Sequence, residues 1–214
     1  MTAPSSHLAH PKLFLFTLSI FAFLYLPLAV LLVFSFNESR LMMEWQGLTT
    51  LWYRILWQDE GLLDALGNSL WIALWTTLLS LMVGIPAGVG LARGSSKGNA
   101  VFEVLLLLPL IVPEIILAVA FAGLYGFARL QLSFWTIVTT HVAFSLSYVI
   151  LMVRARMAQL DPSQVEAAMD LGAGPGQTFV RVVMPHLVPA VLASSLMVFT
   201  ISLDDYVITS FVAG

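Results

Sequence analysis

Apolar residues in this chain come in long unbroken runs, not at alternate positions. Leu13 to Phe36, Leu66 to Ala92, Val104 to Ala128 and Phe134 to Val153 are apolar on every face, and a fifth run from Leu187 to Leu203 ends at Asp204-Asp205. A hydrocarbon core of about 30 Å takes roughly 20 such residues in a helix, because only helices or closed barrels satisfy their backbone there. Barrel strands would alternate polar and apolar residues. The pattern therefore predicts an all-α, polytopic transmembrane bundle with five spans. The first run is too long for a secretory h-region and no small-residue cleavage site follows Phe36, so a retained helix is expected after a short N-terminal segment, residues 1–12.

Composition agrees and narrows the possibilities. The 214 residues are 59% hydrophobic and 10% charged, whereas a water-facing domain carries about 25% charged residues. Nine Lys and Arg against twelve Asp and Glu give a net charge of -3, which leaves no basic surface for nucleic acid. The absence of cysteine excludes disulfides, iron–sulfur clusters, Cys-based zinc sites and thiol nucleophiles.

Orientation follows the Lys and Arg of the short loops. With the N-terminus inside, Lys12, Arg93, Lys97, Arg154, Arg156 and Arg181 face the cytoplasm and Arg40, Arg54 and Arg129 face outward. The outer loop from Asn37 to Asp64 then carries Trp45, Trp52 and Trp57, as expected of a short segment lying in the membrane interface. Within the spans, Gly84 and Gly88 form a small-xxx-small pair suited to close helix packing, and Pro86 predicts a kink. Thr76, Thr77 and Ser80, with Thr136, Thr140 and Ser147, suit either a polar path or hydrogen bonds between helices.

One polar segment is far too long for a helix–helix connection: residues 154–186, between the fourth and fifth runs. Asp161-Pro162-Ser163-Gln164 is a helix start, with Asp161 as cap, Pro162 at the first helical position and Gln164 completing a capping box. Glu166-Ala167-Ala168-Met169-Asp170-Leu171 continues the helix, and Gly172 supplies a left-handed end. A second short helix is expected from Pro175, with Pro185 and Pro189 marking where the fifth span begins. A hairpin resting on lipid would place Lys and Arg on its polar face. This one carries Glu166 and Asp170, and its paired alanines admit a close neighbour, so docking on a partner protein is the better reading.

These residues, Glu166 to Ala173 followed by Phe179, Val182, Pro185 and Pro189, closely resemble the EAA loop of permease subunits of type I ATP-binding-cassette importers. The resemblance implies that Asp161, Pro162, Glu166, Ala167, Ala168, Asp170, Gly172 and Ala173 form a coupling loop docked on a separate ATPase subunit. It also implies a second homologous permease subunit, a substrate-binding protein outside the cell, and a bacterial inner-membrane location. ATP and Mg would belong to the partner ATPase, since no G-x-x-x-x-G-K-[ST] phosphate loop occurs here. No catalytic residue, metal site or cofactor is expected in this chain. The family pattern has a sixth span, and the expectation is that these residues make five-sixths of it.

Charges inside spans are costly and are functional candidates by default. Glu114 falls about halfway along the third run, after Pro109 and Pro113, where it suits a transported cation, a partner Arg or His, or the cap of a broken helix; His141 is a candidate partner. Asp204 and Asp205 suit a cation route or a solvated helix end. Ser202 to Gly214, and Pro113-Glu114, are similar to the matching segments of spermidine/putrescine permeases within the same class. That similarity implies a polyamine cargo. Ferric iron, thiamine and sulfate are the alternative cargoes, and a proton-coupled transporter relaying through Glu114 and His141 is the alternative class.

Overall fold

The computed structural model describes residues 11–40, 44–94 and 97–214, so most of the expected N-terminal segment 1–12 lies outside the described residues. Ten α-helices follow one another: α1 (Pro11–Phe34), α2 (Leu51–Gln58), α3 (Glu60–Arg93), α4 (Lys97–Ile111), α5 (Glu114–Phe127), α6 (Phe134–Met157), α7 (Pro162–Asp170), α8 (Pro175–Thr178), α9 (Met184–Asp204) and α10 (Val207–Val212). The only extended pairing among the described residues is an isolated bridge between Asn37 and Leu48. Among the described residues, four helical stretches are long and apolar enough to cross a bilayer: Lys12–Phe34, Glu60–Ala92, Phe134–Met157 and Pro175–Asp204. A fifth crossing results if α4 and α5 are counted together. The all-α, polytopic fold is thus as expected.

The chain divides into two units, residues 1–64 and 65–214. In the first, the buried Asn37 organises the turn after α1. Its Nδ2 donates to the Glu44 carbonyl at 2.7 Å, and its Oδ1 accepts from Gln46 N at 2.9 Å. Trp52 of α2 donates its indole N–H to the Asn37 carbonyl at 2.9 Å. Trp52 thus has its polar edge satisfied, and Trp57 on the same short helix stays exposed, as suits a segment at the interface.

In the second unit, α6 is the central post. Gly84 and Gly88 of α3 face Val149 and Val153 of α6 in matching order, so these helices run parallel. α9 runs antiparallel to α6, because His141 meets Ser202 near one end and Arg156 meets His186 near the other. Two apolar clusters fill the unit. One joins Ile72, Ala118, Tyr125, Ile137, Val138, Ile208 and Val212; the other joins Val89, Val149, Val153, Leu160, Val183, Leu187 and Val198. Thr136 and Thr140 take the interhelical reading of the two expected for them. Tyr125 OH lies 2.7 Å from Thr140 Oγ1, and Thr136 Oγ1 donates to the Val212 carbonyl at 2.8 Å.

Two expectations need correction. The third run, Val104 to Ala128, is not one helix: α4 and α5 meet at Val112-Pro113 with a bend of 108°. Pro113 lacks an N–H and drives its predecessor out of the helical region, and its own ψ of 136° is extended. Glu114 therefore opens a new helix, which is the broken-helix alternative given for it in the sequence. The second correction concerns Pro185 and Pro189. The helix starting at Pro175 is continuous with the fifth span, through a π-helical turn at Phe179–Val183. Met184 N bonds to the Phe179 carbonyl five residues back. The carbonyl that the Pro185 ring would strike belongs to Arg181, inside this widened turn, so the helix absorbs the proline without stopping.

Candidate functional site

Two places gather the polar residues that the sequence singles out. The first lies where α9 gives way to α10, beside the start of α5. Asp204 is the last residue of α9, Asp205 stands in extended backbone after it, and Tyr206 leads into α10. Asp205 caps α10: its Oδ1 accepts from Ile208 N at 3.1 Å and its Oδ2 from Thr209 N at 3.3 Å. His141 Nε2 lies 2.7 Å from Asp205 Oδ2, and His141 Nδ1 lies 2.8 Å from Ser202 Oγ. The His141 and Asp205 side chains are 3% and 5% exposed, so the pair is largely buried. The partner of His141 is thus Asp205, not Glu114.

The two adjacent aspartates consequently differ. Asp205 has its oxygens occupied by His141 and the start of α10, whereas Asp204 is exposed. Glu114, at the first turn of α5, meets Asp205 across the break and shares with Asp204 the wall of an open cleft of about 430 Å³. Phe144, Tyr148 and Tyr206 complete the polar and aromatic part of that wall. Carboxylates beside aromatic faces form a surface for cations, since both attract positive charge. An acidic residue at the start of α5 is also favoured by the helix dipole, so the site costs the fold less than a mid-helix glutamate would.

The second place is the segment between α6 and α9. Asp161 caps α7, its Oδ1 accepting from Ser163 N at 2.9 Å, and Pro162 occupies the first turn. That hydrogen bond holds the Asp161 carboxyl below the usual aspartate range. Gln164 contributes its backbone N–H to the Asp161 carbonyl, and no reciprocal side-chain bond from Gln164 is formed, so the cap is single and not a box. At the other end Gly172 has φ of 87°, its N–H bonds to the Met169 carbonyl at 2.9 Å, and Ala173 N bonds to the Ala168 carbonyl at 3.0 Å. This pair of bonds is the Schellman ending. Among α7 residues none is buried: Glu166, Ala167 and Asp170 are exposed and Ala168 is half-buried. Met169 and Leu171 are 47% and 90% exposed. This helix thus leaves its alanines and an apolar tip open on the surface.

Sequence reading missed three parts of this arrangement. Arg154 pairs with Glu103 of α4 at 2.5 Å. Arg156 Nε donates to the His186 carbonyl at 2.9 Å, and His186 Nε2 donates to the Arg156 carbonyl at 3.0 Å. The capping role of Asp205 was the only one with a local signal, an aspartate just ahead of a short apolar helix. Among the described residues no cluster of three or more His, Cys, Asp or Glu is placed to hold a metal ion.

The helical bundle, the broken span and the exposed loop helix define a membrane-embedded transport subunit. The chain belongs to the binding-protein-dependent transport system inner membrane components, whose family model matches residues 84–214. It is similar to the spermidine/putrescine transport system permease protein PotC of Escherichia coli (strain K12), 35% identical over 199 residues that cover 93% of this chain and 75% of that one. It is 34% identical to the PotC protein of Haemophilus influenzae over 199 residues, 93% of this chain and 77% of the relative. The putrescine transport system permease protein PotI of Escherichia coli (strain K12) is 39% identical over 204 residues, 91% of this chain and 72% of the relative.

Proposed function

We propose that this chain is the membrane-spanning permease of an importer that moves polyamines such as spermidine and putrescine inward, driven by ATP hydrolysis in a separate subunit. The observation that carries the reading is the meeting of Glu114, Asp204 and Asp205 on one cleft wall with Tyr148 and Tyr206. Polyamines are chains of ammonium groups joined by methylenes, and such a wall offers carboxylates for the charges and ring faces for both parts. Glu114 and Asp204 contact the cargo, while Asp205, held by His141, shapes the break. Inward movement of each positive charge is favoured by about 2.3 kcal/mol per 100 mV. The similarity to PotC and PotI supports this cargo over ferric iron, thiamine or sulfate.

In this reading α7 is the coupling helix. Asp161 and Pro162 start it, and Gly172 and Ala173 end it. Between them Glu166, Ala167, Ala168 and Asp170 dock on the ATPase, which binds ATP and Mg. The N-terminus and the segment 154–186 face the cytoplasm of a bacterial cell, and the segment 37–64 faces the binding protein outside. A second homologous permease completes the pathway. Docking shifts the membrane helices only if its free energy differs between the two states of the motor.

The test is uptake of labelled spermidine by cells that depend on this chain. Uptake is expected to be competed by putrescine and not by thiamine or sulfate, to stop on ATP depletion, and to fall about tenfold in Glu114→Gln. Glu166→Lys is expected to abolish uptake with the permease still in the membrane. Uptake that survives ATP depletion, or an unchanged Glu166→Lys variant, overturns the coupled-importer reading; competition by another solute overturns the cargo.

A further inference from the structure

The exposed helix α7 can transmit force only if it is tied to the spans at both ends of its loop, and the loop runs for 33 residues between Arg154 and His186. Its apolar base is shared. Leu160 and Val165 pack with Met157 of α6, Val183 in the π turn and Leu187 of α9. Apolar contacts resist separation but not sliding. A directional tie is supplied by Arg156 and His186, which exchange hydrogen bonds reciprocally, each side chain donating to the other residue's carbonyl at 2.9 and 3.0 Å. Arg156 Nη1 also donates to Gln159 Oε1 at 2.9 Å, which orients the guanidinium. Two opposed bonds fix both rotation and register between the end of α6 and the start of α9, which a single bond would not do. The π turn at Phe179–Val183, a departure from regular α-helical bonding, lies between α7 and this clasp. Without the clasp, motion of α7 would be taken up there.

We propose that Arg156 and His186 are positioning residues that make α7, α6 and α9 move as one body. The inference rests on the reading of α7 as the coupling helix only for its consequence in transport; the rigidity itself is measurable without it. The chain has no cysteine, so spin labels at Gln164→Cys on α7 and Leu196→Cys on α9 report that one distance in the full chain in lipid nanodiscs. A single narrow distribution is expected, broadened in His186→Ala and narrow again in His186→Gln, which keeps an N–H donor at similar reach. In proteoliposomes holding the permease with the ATPase that co-purifies with it, spermidine taken up per ATP hydrolysed is expected to fall about tenfold in His186→Ala and to recover in His186→Gln. Should His186→Ala fail to fold, Arg156→Met, which keeps the stem and removes the donor to the His186 carbonyl, is read in the same way.

An unbroadened distribution in the clasp variant overturns the inference, as does a broadened one with uptake per ATP unchanged. Glu166→Lys, measured alongside, separates the two ideas. Normal uptake by that variant removes the coupling reading while the distance measurement still judges the clasp.

Discussion

Val149 on α6 occupies the space that any side chain at Gly84 on α3 would need. A Cβ at Gly84 would lie 2.6 Å from Val149 Cγ1 and 2.8 Å from its Cβ, and one at Gly88 would lie 2.8 Å from Val153 Cβ and 3.2 Å from the Ile150 carbonyl. Both neighbours are β-branched and stiff, so they cannot swing aside. Gly84→Ala and Gly88→Ala are each expected to destabilise the fold by about 1–3 kcal/mol as the two parallel helices separate. Gly90→Ala, with nothing within 4 Å, should leave stability unchanged or slightly raised. Thermal unfolding in detergent distinguishes them, and Val149→Ala should recover part of the loss in Gly84→Ala.

The His141–Asp205 pair predicts a thermodynamic coupling. Both side chains are buried, and removing either takes away the other's shortest polar contact, at 2.7 Å. His141→Ala and Asp205→Ala are each expected to cost about 1–3 kcal/mol, and the double variant less than the sum of the two. Asp204→Ala, on the exposed neighbour, should leave stability almost untouched while lowering polyamine uptake. Strict additivity in the double-mutant cycle would mean that the pair does not hold α10 in place.

What was legible in the sequence and what was not divides by distance along the chain. The spans, the cap at Asp161, the left-handed end at Gly172 and the packing role of Gly84 and Gly88 all rest on residues within a few positions of one another, where propensity and periodicity act directly. The partner of His141 lies at Asp205, and that of Arg156 at His186; no local pattern selects between Glu114 and Asp205 as the acid facing a histidine. Proline acts in opposite ways at two places. Pro113 breaks a run that hydropathy alone shows as continuous, because Val112 is pushed out of the helix with it. Pro185 leaves its helix intact, because the π turn just before it takes up the conflict with the Arg181 carbonyl, and α9 continues through Pro189 as well. The organisation of the outer loop around Asn37 depends on side-chain to backbone bonds that no hydrophobic pattern encodes.

Asp161 predicts an acid-sensitive loop helix. Its carboxyl sits below the ordinary value of 3.8 because the ionised form accepts the Ser163 N–H. The folded-state value is therefore depressed. The stabilisation it gives α7 is complete above about 3.8 and is lost as pH falls through the lower folded value. Mobility of a spin label at Gln164→Cys is expected to stay constant from neutral pH down to that range and to rise below it. Asp161→Asn, whose amide oxygen still accepts the Ser163 N–H, should remove the pH dependence and keep the cap. Asp161→Ala should be mobile at every pH. A label equally mobile in all three variants at neutral pH would show that the start of α7 is held by something else.

Gly172 offers a cleaner separation of strain from bulk. Its φ of 87° lies where side chains are disfavoured, yet a Cβ there would meet nothing within 4 Å. Any cost of substitution is therefore backbone strain alone, about 1–2 kcal/mol for alanine, more for β-branched valine and less for asparagine, which visits the left-handed region. The order of loss should be Val, then Ala, then Asn. Strain of this size is not enough to unfold the bundle, whose clusters lie elsewhere, but it is enough to unwind the last turn of α7 and release Ala173 from Ala168. Spermidine uptake should follow the same order, with the permease present in the membrane at normal levels. Equal uptake by the valine and asparagine variants would mean that the Schellman ending is not needed for coupling; a fall in membrane level that tracks the fall in uptake would assign its role to folding.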